Sequence, residues 1–130
     1  MRAILLFLAF ISITTACSKD AGEKVEGEGL EGKWILRQTL VSPGPIGEWK
    51  SYWGPVVSIT FRDDGTLGGP GWPDSNEPFD RYEVNGNYIT FYQNSSTDSL
   101  RRGYNLDRNV LTLWNPSCFE PCGSKYKRVQ

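Results

Sequence analysis

The chain contains no histidine, a single methionine and almost no net charge, with 14 Lys and Arg against 15 Asp and Glu over 130 residues. Without histidine, the side chain most often used near neutral pH as a general base and as a metal ligand is missing. A net charge of -1 lacks the basic footprint that nucleic-acid binding requires. The length holds one domain and excludes a multi-domain enzyme. Helical periodicity is missing too. From Gly32 onward no stretch as long as the strand-like ones repeats its apolar residues at helical spacing.

What is present begins at the amino terminus. Arg2 precedes the apolar run Ala3 to Ile11, which is too short to span a bilayer as a mature helix and reads as a signal peptide. Thr14-Thr15-Ala16-Cys17 then resembles the lipobox of bacterial lipoproteins, in which a small residue precedes an obligatory cysteine; Thr14 stands where Leu is usual. The resemblance implies that residues 1–16 are removed and that Cys17 is acylated on its sulfur and its new amino terminus. Several acyl chains give stable membrane anchoring where one would be marginal. The simpler alternative is an ordinary signal peptide with an incidental cysteine. Ser18 occupies the place where Asp resembles an inner-membrane retention signal, so the outer membrane is the expected site, on its periplasmic or its surface face.

Residues 18–31 hold five acids, two bases and three glycines, too little apolar surface to order themselves. Together with Cys17 they read as an acidic tether, residues 17–31, ahead of a body over residues 32–130. The body has 11 basic and 10 acidic residues, so the chain's acidity lies in the tether.

From Gly32 the apolar pattern has period two, and eight strand-like runs follow: 33–41, 56–62, 66–69, 79–84, 88–93, 100–106, 110–114 and 124–129. Asp63-Asp64-Gly65 and Asn85-Gly86-Asn87 supply residues that tolerate tight hairpin turns, and Leu106 to Asn109 looks like a third. Val57, Ile59 and Phe61 share one face, as do Ile89 with Phe91 and Leu111 with Leu113. Residues 42–55 and 68–78, rich in Pro and Gly, break the meander. This pattern predicts an all-β fold, a small up-and-down antiparallel barrel of about eight strands or a sandwich; closure favours the barrel by removing edge strands.

Gly32-Lys33-Trp34 matches the Gly-x-Trp opening of lipocalins. Phe61 to Thr66, and the ending from Cys118 to Arg128, look like lipocalin-like domains of small bacterial lipoproteins. The resemblance implies that Trp34 packs at the closed end of the barrel with Arg128 of the last strand as its partner, a structural pair rather than a ligand contact. It also implies a binding function. At 99 residues the body is shorter than typical lipocalins, which argues against a deep cavity because a small eight-stranded barrel can fill itself.

Cys118 and Cys122, with Pro121 between them, read as a disulfide closing a tight loop in an oxidising compartment. Two remaining soft ligands are too few for zinc, and no metal or cofactor is expected. No base stands ready to activate a serine or threonine. Asp63-Asp64 reads as turn chemistry, while Asp80 and Glu83 should face opposite sides of a strand, so a hydrolase would need carboxylates brought together from elsewhere. Asn94 and Ser99 sit in glycosylation-like patterns that a polar turn also explains, and Arg101-Arg102 puts one charge on each face of a strand.

Trp49, Tyr52, Trp53 and Trp72 fall in the two Gly/Pro-rich segments and form the candidate binding loops. Either they plug the barrel end or they bind. The expected function is non-enzymatic: an anchored module for a small apolar or amphipathic ligand, or alternatively an interaction module for another envelope protein.

Overall fold

The computed structural model describes residues 29–42, 44, 46–69, 79–93 and 97–130; Cys17, Trp72 and Asn94 lie outside them. Among the described residues there are nine strands and no helix: β1 (Gly32–Val41), β2 (Glu48–Ser51), β3 (Ser58–Phe61), β4 (Leu67–Gly68), β5 (Arg81–Asn85), β6 (Tyr88–Tyr92), β7 (Ser99–Asp107), β8 (Val110–Trp114) and β9 (Gly123–Arg128). All pairings are antiparallel, in the order β4-β3-β1-β9-β8-β7-β6-β5, with β2 beside β1.

Every strand of the ring sits next to its neighbour in sequence, and the last pairs with the first. The two ends of the sheet also meet. The Leu67 N–H donates to the Asp80 carbonyl at 2.8 Å and the Tyr82 N–H to the Gly65 carbonyl at 2.9 Å, around an isolated Thr66–Arg81 bridge. The fold is therefore an eight-stranded up-and-down barrel, with no long edge left unpaired.

β2 is an addition to the expected runs, because residues 42–55 are not wholly irregular. Glu48 to Ser51 pair with Gln38 to Val41 on the edge that β3 occupies lower down β1. Trp49 thus belongs to a strand and not to a loop. Between β2 and β3 the chain leaves the wall at Tyr52, whose N–H donates to the Arg37 carbonyl at 2.8 Å, and returns at Val57, whose carbonyl accepts from Leu36 N–H at 3.0 Å.

Inward-facing residues form one core: Trp34 and Leu36 from β1, Ile59 and Phe61 from β3, Ile89 and Phe91 from β6, Leu111 and Leu113 from β8, and Tyr126 from β9. Leu30 joins it, although it precedes the first strand and is 1% exposed. Leu30, with the Gly29 and Glu31 carbonyls that Arg128 holds on either side, therefore belongs to the folded body, which begins before Gly32. A lone leucine among glycines and glutamates carries no periodic signal, which is why composition assigns it to the tether.

The connections divide by length between the two ends. Turns 62–66, 86–87 and 108–109 lie at the end where the chain enters, here the base. The strands joined by the longer connections, β1 to β2, β4 to β5, β6 to β7 and β8 to β9, end or begin at the opposite end, the mouth, while the 52–57 excursion leaves and rejoins the wall midway along β1. In the first base turn Asp64 accepts from the Thr66 N–H at 2.9 Å and the Thr66 hydroxyl at 2.6 Å. The hydroxyl bond first, and the N–H bond next, hold its carboxyl below the ordinary carboxylate range. A depressed folded-state value means the contribution is present above the ordinary range and fades as the carboxyl takes up its proton in the fold. Below about pH 4, Asp64→Asn should therefore give a flatter stability-versus-pH curve than wild type in urea denaturation; parallel curves would remove this carboxylate from the acid response.

Candidate functional site

The base is solid. Trp34 lies opposite Arg128 in the β1–β9 register, with the guanidinium carbon 4.5 Å from the ring centroid. The Trp34 indole N–H donates to the Leu30 carbonyl at 2.8 Å. Arg128 also donates to the Glu31 carbonyl at 2.7 Å and to the Gly29 carbonyl. One arginine thus covers the indole and straps the entering chain across the barrel floor, a stacked and forked contact that lysine could not reproduce.

Above the core the barrel opens. A cup of about 510 Å³ is lined by residues that include Tyr52, Phe79, Leu100, Arg102 and Leu113 on its walls and Thr39, Asn115 and Ser124 as polar groups. Period two explains part of this lining. In β7 Leu100, Arg102, Tyr104 and Leu106 are half-buried on one face, and Gly103 on the other face is buried only because the Trp114 ring covers it, so Arg102 takes the face of the cup while Arg101 stacks outside on Tyr88, 4.0 Å from its centroid. That resolves which arginine faces inward. A register shift between Leu36 and Gln38 reverses parity in β1, so that Thr39 comes opposite Ser124.

The β8–β9 connection makes one side of the cup. Cys118 and Cys122 are joined by a disulfide with Cα atoms 6.3 Å apart. Asn115 exchanges backbone bonds within this loop, donating to the Cys122 carbonyl and accepting from the Cys118 N–H, both at 3.3 Å. Its side-chain oxygen accepts from the Ser117 N–H at 3.0 Å. A five-residue ring gains little from loop entropy; its effect here is to hold the shape of a wall that both Cys118 and Cys122 line.

The candidate binding aromatics do not converge. Tyr52 lines the cup. Trp49 lies on the outer face, where Lys125 Nζ sits 4.2 Å from its ring centroid and the ring packs against Gly123. Trp53 projects from the excursion, 91% exposed. These three rings therefore do not plug the barrel; Leu30 and Trp34 fill its base instead. Phe79, Leu100 and Arg102 are lining residues that the sequence reading did not single out for binding; the alternation of β7 places Leu100 and Arg102 on one face, while Phe79, outside every strand, carries no such signal. Ser99 is exposed at the start of β7. Among the described residues, no group of three or more Cys, Asp or Glu could hold a metal ion.

The fold and the cup stand on their own geometry, because in comparisons with known proteins the chain matches no family model, no curated protein and no solved structure.

Proposed function

We propose that the protein is a lipid-anchored component of the bacterial cell envelope, held at the outer membrane through Cys17, whose lipocalin-like barrel binds one small amphipathic ligand without catalysing a reaction. The observation that carries this reading is the division of the barrel into a packed base and an open cup of about 510 Å³. That size falls within the range of ordinary ligand sites. Apolar walls from Tyr52, Phe79, Leu100 and Leu113 suit a hydrocarbon or aromatic body, while Arg102, Asn115, Thr39 and Ser124 suit a polar end. Arg102 is the only charged group in the described lining, so the carboxylate pair of a glycosidase has no counterpart there. The lipobox-like residues and the Cys118–Cys122 bridge support an extracytoplasmic setting.

Anilinonaphthalene sulfonate, which joins an apolar ring system to an anionic group, is a direct probe. It should bind in a saturable manner with enhanced emission. Leu100→Trp, which places a larger side chain in the cup, should abolish that binding while the melting temperature stays close to wild type. Identical titrations for the two proteins would sink the reading. A second reading, an interaction module for another envelope protein, is favoured by the exposure of Trp53 and Phe119; it requires no occupied cup.

A further inference from the structure

The outer face of the barrel carries a row in which rings alternate with glycines. Tyr88, Gly103, Trp114 and Gly123 lie directly opposite one another across β6 to β9, on the face away from the buried Ile89 and Leu113. Trp49 reaches the same row from β2, its ring against Gly123. The glycines let the rings lie down. Three atoms of the Trp114 indole are about equally near the place where a Gly103 Cβ would stand, so the ring lies flat on β7 and presents its other face to solvent; the residue is 37% exposed. The next register toward the base is polar throughout: Asn105, Thr112, Lys125, Gln38 and Ser51 face one another in turn. A cation flanks the indole on each side, Arg101 stacked on Tyr88 and Lys125 on Trp49, which holds both charged heads at the surface. No carboxylate stands in either row. Outside them, Glu83 accepts from the Tyr92 hydroxyl at 3.1 Å, Glu48 pairs with Lys50 at 3.8 Å, Asp107 lies one register nearer the base, and Glu120 is in the disulfide loop on the mouth side of Trp114.

We propose that this outer face binds an acidic polysaccharide, a chain of uronic-acid pyranoses, with one sugar stacked on Trp114. A pyranose joins an apolar C–H face to a rim of hydroxyls. The flat indole takes the face. The Asn105 and Gln38 amides and the Thr112 hydroxyl both donate to and accept from the rim. Arg101 and Lys125 attract the carboxylates of neighbouring sugars by charge-assisted bonds, and the absence of acids from the two rows leaves that attraction unopposed where the chain lies. From Asn105 on β7 to Gln38 on β1 the polar row crosses three strand spacings, about 14 Å, which suits an extended stretch of chain rather than a single sugar. A nucleic acid also joins rings to anions, but its backbone calls for a positive groove that follows the phosphates, whereas the cations here stand singly at the two flanks. Trp114 borders the cup as well, yet the face over Gly103 requires neither an occupied cup nor membrane attachment.

The test passes the full chain, in a non-ionic detergent, over immobilised polygalacturonate and alginate, with dextran as a neutral glucan and oligothymidylate as a polyanion that stacks. Saturable binding to at least one polyuronate is expected, with none to dextran. Trp114→Ala should weaken that binding by about tenfold. Asn105→Asp, at an exposed position, puts a charge of the wrong sign into the polar row with almost no change of shape. It should weaken binding several-fold at an unchanged melting temperature, so the result does not hang on how well Trp114→Ala folds. Binding to neither polyuronate overturns the proposal. Equal binding by wild type, Trp114→Ala and Asn105→Asp overturns it too, because the polyanion would then be held by charges elsewhere on the chain. Dextran bound as tightly as the polyuronates would remove the acidic requirement, and tighter binding to oligothymidylate would make the face a nucleic-acid site instead.

Discussion

Trp34→Ala is expected to remove about 3–5 kcal/mol of folding stability and to lower the melting temperature by roughly 15–30 °C. A domain of this size has only about 5–15 kcal/mol in total, so the variant should be marginal at 37 °C. Three losses coincide at this position. The indole is completely buried, so alanine leaves a cavity between Leu30 and the core. The Leu30 carbonyl loses the N–H that reaches it at 2.8 Å, an unmade bond worth about 1–3 kcal/mol if water cannot replace it. Arg128 loses the ring it covers, about 0.5–2 kcal/mol. Trp34→Phe separates these terms, because it keeps most of the volume and a ring face but has no donor. It should cost about 1–2 kcal/mol. Thermal melts followed by near-ultraviolet circular dichroism measure both variants. A Trp34→Ala protein melting within a few degrees of wild type would show that the barrel does not depend on a filled floor.

Which parts of this architecture could be read from the residues depends on how far each signal extends along the chain. Val57, Ile59 and Phe61 alternate with polar neighbours, as do Ile89 and Phe91, and a closed meander follows once successive strands pair across short turns. The Asp-Asp-Gly and Asn-Gly-Asn segments specify turns by local chemistry, and two of those turns lie where they were expected. β2 escaped because four residues flanked by Pro and Gly give one alternation at most; its strand character comes from the edge of β1 beside it. The cup escaped for a different reason. Its walls come from β1, β7, β8, β9 and three connections, and alternation can mark which strand residues share a face but not that closure brings them together with the connections. Of the described aromatic residues in the Gly/Pro-rich segments, only Tyr52 lines the cup. Tyr52 turns inward, whereas Trp49 found the gap above a glycine on the outer wall. Trp114 does the same over Gly103, where a Cβ would collide with the indole. Glycines inside β7 and β9 are therefore seats for side chains on the outer surface, a pairing visible only when strand register is known.

Leu30→Ala should cost about 2–5 kcal/mol, as much as a leucine in the middle of the core, even though Leu30 lies outside every strand. The side chain is 1% exposed and closes the base against Trp34. Its backbone has a separate function that alanine preserves, since the carbonyl still accepts from the Trp34 indole and Arg128 still donates to the carbonyls on either side, at Gly29 and Glu31. The position of the cost within that range therefore depends on whether the strap keeps the segment in place. Held by Arg128, an alanine leaves a rigid void and the cost lies at the upper end. Released by Arg128→Met, the segment can collapse or leave, so the second substitution should cost less in the Leu30→Ala background than alone. Charge-assisted bonds to the two carbonyls and the stacked ring give Arg128→Met a cost of about 2–4 kcal/mol by itself. Groups that share partners in this way couple by about 0.5–3 kcal/mol. Urea denaturation of the four proteins in the cycle reads that coupling directly. Additive losses would mean that Leu30 and Arg128 act separately, and that the residues just before β1 are merely covered by the barrel rather than built into its floor.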